Sequence, residues 1–151
     1  MTTEIKFEDT VSYLLAKVST AFRNSIERHM ASIDLHGGQI FVLIELWRRD
    51  GLRQIDIAKR LNLSAPTVNK MIKGLIQINL VTLEKTDDDG RSTRVFLTND
   101  GVEMRKDAEA QWLELEESSL AGLTETERLI LFDLLGKLRN TYTGRNIDSE
   151  D

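Results

Sequence analysis

At 151 residues, 40% apolar and 30% charged, the chain is sized for one ordinary globular domain, 1–151, with helical extensions. It has no cysteine, which excludes disulfides, thiolate metal sites and thiol redox sensing; no run reaches the roughly 18 apolar residues of a membrane span and MTTEIKFEDT is no leader, so a cytoplasmic protein without a membrane partner is expected. The net charge of −5 is uneven: residues 51–101 hold eight Lys or Arg against six acids, leaving 12 cations and 19 acids elsewhere, so contact with a polyanion falls to the middle of the chain.

Residues 7–33 form a long helical pattern, with Phe7, Val11, Leu14, Leu15, Val18, Phe22, Ile26 and Met30 at three- and four-residue steps. Leu35-His36-Gly37-Gly38 breaks it, since paired glycines are poor helix formers. From Gln39 to Trp47 the sequence is apolar almost all round, which predicts a helix buried on more than one side and capped by Gly51.

The stretch 51–98 reads as helix, turn, helix and two-stranded hairpin. The first helix is expected from about Arg53 to Leu61, with Ile55, Ala58 and Leu61 on one side and Ile57 flanking them, ending at Asn62. Ser64 is placed to cap the second helix and Pro66 falls in its first turn, where a missing N–H costs nothing. Val68, Met71, Ile72 and Leu75 recur at i, i+3, i+4 and i+7 as its buried stripe, leaving Ala65, Thr67, Asn69, Lys70 and Lys73 outside. That exposed set has the small, hydrogen-bonding and cationic groups that reading base edges and phosphates requires, with Ser64 and Thr93 available to phosphates. Leu80–Thr86 and Thr93–Thr98 read as strands flanking a turn at Asp87–Ser92, and Arg91 and Arg94 are the cations near its tip, suited to a narrow minor groove. The architecture expected is mainly α with a small β-hairpin wing, a winged helix-turn-helix.

Thr98 can cap a helix running to about Leu120, with Met104, Ala108, Trp112, Leu115 and Ser119 on one stripe and Val102, Leu113 and Leu120 on a second. Thr124–Glu127 has the form of a capping box, and the helix it opens carries more apolar surface than one face can use: Leu129, Ile130, Leu131, Phe132, Leu134, Leu135 and Leu138. Segments 7–33 and 99–141 are therefore expected to interlock in a homodimer, with a polar, frayed tail over Arg145–Asp151.

From Leu35 to Gly101 the chain resembles the MarR family of winged-helix regulators, through LSAPTVNKMIKGL, Asn79-Leu80-Val81, Asp89-Gly90-Arg91-Ser92, and Val95-Phe96-Leu97-Thr98 leading to Gly101. The resemblance implies that Asp89 orients the Arg91 guanidinium, a pairing that favours bidentate geometry. It also implies double-stranded DNA as partner, often repression, and a small aromatic or phenolic acid as ligand, for which Tyr13, His29, His36, Phe41, Trp47 and Trp112 are pocket candidates. Asn79, Ile76 and Leu83 depart from the pattern, standing where Gly, an acidic residue and Arg are frequent.

No cofactor or metal is expected: two histidines with scattered acids are too sparse for zinc, and no nucleophile motif or phosphate-binding Gly loop points to an enzyme. The alternative to a DNA-binding regulator is a winged-helix dimer acting through protein partners, motivated by the acidic balance and the acidic wing.

Overall fold

The computed structural model describes residues 4–86 and 93–143. The predicted turn Asp87–Ser92, with Arg91 and Asp89, and the tail Arg145–Asp151 lie outside them. Backbone contacts divide the chain into two compact units, 1–115 and 116–151.

In the first unit a single 3-10 turn, Phe7–Asp9, precedes α1, Val11–Ala31. The expected helix over 7–33 is thus interrupted at Thr10, whose extended backbone stops the turn and whose hydroxyl accepts the Tyr13 N–H at 3.2 Å, an N-cap that starts α1 afresh. Only Ile26 and Met30 of its stripe are buried, while Val11, Leu14 and Val18 stand exposed. α2, Gln39–Arg48, buries Ile40, Val42, Leu43 and Leu46 as its all-round apolar sequence requires. Its C-cap is Arg49 rather than Gly51. Gly51 does adopt a left-handed φ of +73°, but two residues later, where a Cβ would lie 2.7 Å from the Phe96 ring.

There Leu52–Arg53 forms β1, absent from the sequence expectation, and the first reading-unit helix, α3, begins at Gln54 and ends at Leu61. Its buried residues are Ile57 and Ala58, whereas Ile55 is 53% exposed, so the flanking residue and one face residue exchange roles. α4 follows as Ala65–Gln77, then β2, Val81–Lys85, and β3, Thr93–Leu97. The sheet is three-stranded and antiparallel in the order β1-β3-β2, instead of a two-stranded hairpin, with Leu52 opposite Val95 and Leu83 opposite Val95 on the other edge. α5 spans Asn99–Ser119.

Three helix ends share one device. Asp34, Asn62 and Asn79 are the non-glycine residues with positive φ among those described. Each sits past a helix, and the next amide reaches back five residues: Leu35 to Met30, Leu63 to Ala58 and Leu80 to Leu75, all at 3.0 Å. This is the Schellman closure, which satisfies carbonyls a helix leaves open and tolerates Asn or Asp in place of Gly.

The second unit holds α6, Glu125–Thr143. Thr124 Oγ accepts the Glu127 N–H at 3.2 Å, the expected cap. No residue of α6 is buried.

Candidate nucleic-acid interface

α4 is fixed from within. Val68, Ile72 and Leu75 are fully buried against α2 and α3, and Met71 packs at their edge, as its spacing predicts. At its start the Ser64 Oγ accepts the Thr67 N–H at 3.3 Å and lies 2.8 Å from the Thr67 hydroxyl, so both hydroxyls sit together at the helix N-terminus. Burial of one stripe forces the opposite one outward: Ala65, Thr67, Lys70 and Lys73 are exposed and Asn69 is half-buried. Hydrogen-bonding groups and two cations thereby share one helix with a positive N-terminal dipole end, an arrangement suited to phosphates and base edges.

The exit of α4 is stapled to α5. The Thr98 N–H donates to Leu80 O at 3.0 Å, the Thr98 hydroxyl donates to Asn79 O at 2.7 Å, and the same hydroxyl accepts the Gly101 N–H at 3.0 Å. Gly101 packs so closely that a Cβ would collide with Leu80 O, and its own carbonyl accepts the Trp47 indole N–H at 3.0 Å. The Asn79 side chain adds a 3.2 Å bond to Asp100 that a glycine there lacks.

On the wing, the last described rung pairs Lys85 with Thr93, which is half-buried. Arg94 is already engaged, donating to Gly51 O at 2.9 Å and to Thr86 Oγ1 at 3.2 Å, so its guanidinium ties β3 to the start of β1. Two acidic residues went unrecognised in the sequence. Glu45, on α2, is only 9% exposed and pairs with Arg60 of α3 at 3.2 Å and with Arg48 at 3.8 Å; a lone carboxylate inside an apolar helix was the available signal. Asp50 accepts the N–H groups of Gly51 and Leu97, at 3.0 and 2.9 Å. The Asp56 carboxyl, half-buried on α3, is held below the usual carboxylate range chiefly by its hydrogen bond from Arg53, at 2.8 Å.

The ligand candidates separate. Trp47 and Trp112 line a cleft of about 330 Å³ with Ile40, Ile44, Arg48 and Arg105, and Phe41 meets the Trp112 ring edge-on at 6.3 Å between centroids. Tyr13, His29 and His36 are not among its walls: Tyr13 lies under Lys17, His29 Nδ1 is 2.8 Å from Ser25 O on its own helix, and His36 is exposed. Among the described residues no group of His, Asp and Glu is placed to hold a metal ion, and no helix is long and apolar enough to cross a membrane.

A helix-turn-helix whose second helix turns outward, followed by a small antiparallel sheet, defines a winged helix-turn-helix protein. The chain matches the model of the MarR family over residues 35–93. It is 28% identical over 99 residues to YdgJ, an uncharacterized HTH-type transcriptional regulator of Bacillus subtilis, an alignment covering 66% of this chain and 60% of that protein's length. Its fold is that of a MarR transcriptional regulator from Methanosarcina mazei Go1, with a TM-score of 0.78 at 22% identity over 89% of this chain and 98% of the other. It is equally that of Bordetella bronchiseptica BpsR, with a TM-score of 0.79 at 23% identity over 89% and 98%; the DNA binding of BpsR is regulated by 6-hydroxynicotinic acid.

Proposed function

We propose that this protein is a cytoplasmic, sequence-specific DNA-binding transcriptional regulator, a homodimer that reads a pseudo-palindromic operator and represses by covering a promoter. The observation that carries the reading is the two-sidedness of α4: one stripe fully buried, the other presenting Thr67, Asn69, Lys70 and Lys73 beside the Ser64 cap. Ser64 and Ala65 open that face, and Thr93 stands on the wing opposite Lys85. For Arg91 and Asp89, outside the described residues, the family resemblance implies a wing contact with DNA and the carboxylate that orients it. Arg94, a further wing contact in this reading, is also tied to Gly51 O at the base of the wing. Two α4 helices related by a two-fold axis would address half-sites about 10 bp apart.

The dimer is supported by apolar faces left open in each unit. α1 exposes Val11, Leu14 and Val18, and α6 exposes Leu129, Phe132 and Leu135, groups that a second copy would cover. A small aromatic acid is the ligand class that suits the cleft at Trp47 and Trp112, whose aromatic walls carry Arg48 and Arg105 and whose volume of about 330 Å³ falls at the lower end of ligand sites. The likeness to BpsR, which answers to such an acid, supports the same class.

The test is a titration of the purified protein against the DNA upstream of its own coding sequence and a scrambled control, at two salt concentrations. Tight, salt-sensitive binding of the upstream fragment alone is expected. Equal, weak binding of both would remove the reading.

A further inference from the structure

The turn between α1 and α2 has no role in the reading above, yet it is unusually well held and it touches α4. Gly37 and Gly38 are successive residues of positive φ, +58° and +77°, which turns their N–H groups the same way. Both are claimed by one side chain: Glu27 Oε2 accepts the Gly37 N–H at 3.1 Å and Oε1 accepts the Gly38 N–H at 3.0 Å. The carboxylate also lies at the positive end of the α2 dipole, so charge and hydrogen bonding act together. The next residue, Gln39, has its side-chain carbonyl fixed by the His36 N–H at 2.9 Å.

What that turn supports is α4. The Met71 methyl lies 3.0 Å from where a Cβ on Gly38 would be, and the Gln39 amide nitrogen occupies the space a side chain at Gly74 would need. Gly74 is a helix-interior glycine, a residue that weakens a helix by about 1 kcal/mol relative to Ala, and the place of the Gln39 amide accounts for it. Resting on the DNA-binding reading above, we infer that the Gly37–Gln39 turn is a seat that sets the position of α4, with Glu27 as the positioning residue that holds the seat. α4 meets the seat at Met71, beside the buried stripe, and at Gly74, one turn along from Lys70; neither is among the reading residues, so a shift of the seat moves the reading face without changing any group on it.

Two arms test this in the full-length protein. In the first, amide hydrogen exchange is compared between wild type, Glu27→Ala and Gly74→Ala without DNA. Glu27→Ala should speed exchange at 37–39 and across 65–77 by about tenfold while leaving β3 unchanged; unchanged exchange across 65–77 overturns the inference. In the second, each protein is titrated with DNA that the wild type selects from a random pool and with versions of it spaced one base pair longer and shorter. Glu27→Ala and Gly74→Ala should lose the preference for the selected spacing, and Gln39→Ala added to Gly74→Ala should restore it by making room for the new methyl group. Gly74→Ala should do this without lowering the unfolding midpoint, since Ala favours the helix. Wild-type spacing preference in both single variants overturns the inference. A wild type that selects no sequence sinks the DNA reading instead, and the exchange arm still decides whether the seat positions α4.

Discussion

α4 and α6 are both rich in aliphatic side chains at helical spacing, and they end in opposite states. In α4, Val68, Ile72 and Leu75 are completely buried within the chain. In α6, nothing is buried: Leu129 is 73% and Phe132 81% exposed. The apolar pattern alone specifies helix and a face to be covered, not what covers it. For α4 the cover is α2 and α3, which leaves the polar face of α4 free for another molecule. For α6 no cover lies among the described residues; the second copy proposed above would supply it, and burying each large side chain contributes about 1.5–3 kcal/mol.

The largest expected effect tests the α6 half of the comparison. Phe132→Glu together with Leu129→Glu should convert a dimer into a monomer, weakening self-association by on the order of a thousandfold, ~4 kcal/mol, read by sedimentation equilibrium. If the face is simply solvated, charged replacements there leave the molecular mass unchanged, and the contrast between the helices collapses. The next effect tests the α4 half. Ile72→Ala should destabilise the protein by about 2–4 kcal/mol in urea unfolding, because it opens a cavity beneath the helix. An effect near that of a surface substitution, within about 0.5 kcal/mol, would mean the stripe is not the support of α4.

Much of this was legible in the sequence, and the exceptions have a common cause. Ser64 as cap, Pro66 in the first turn and Val68, Ile72 and Leu75 as the buried stripe are local features, and the structure has all of them. β1 was not legible because two residues, Leu52 and Arg53, become a strand only by pairing with β3 more than forty positions later. The exchange of Ile55 for Ile57 in α3 arises likewise: an eight-residue helix offers two plausible faces, and packing decides between them. Arg94 shows the same limit within the site. Its sequence neighbours mark a wing cation, whereas its partner, Gly51 O, is set by the sheet order. The motif residue Gly101 was recognisable as a pattern, but its reason, close approach to Leu80 and the bond from Trp47, belongs to tertiary structure.

The smallest effect sharpens the contrast between the two faces of α4 itself. Lys73 is exposed and one residue from Ile72, which is not, so the pair of substitutions separates support from contact. Lys73→Ala removes one cation and no packing; unfolding in urea should therefore match the wild type within about 0.5 kcal/mol. If Lys73 meets a phosphate, each such contact displaces a condensed counterion, so the slope of log affinity against log salt should fall in magnitude by about 1, with affinity reduced on every sequence alike. If it meets a base edge, the loss is instead about 1–3 kcal/mol at one operator position, with discrimination relaxed there. Titration at several salt concentrations distinguishes these two outcomes. Unchanged affinity and slope would mean that the outward face of α4 is only solvated, as a face with nothing to touch should be, and the DNA assignment of that face would fall.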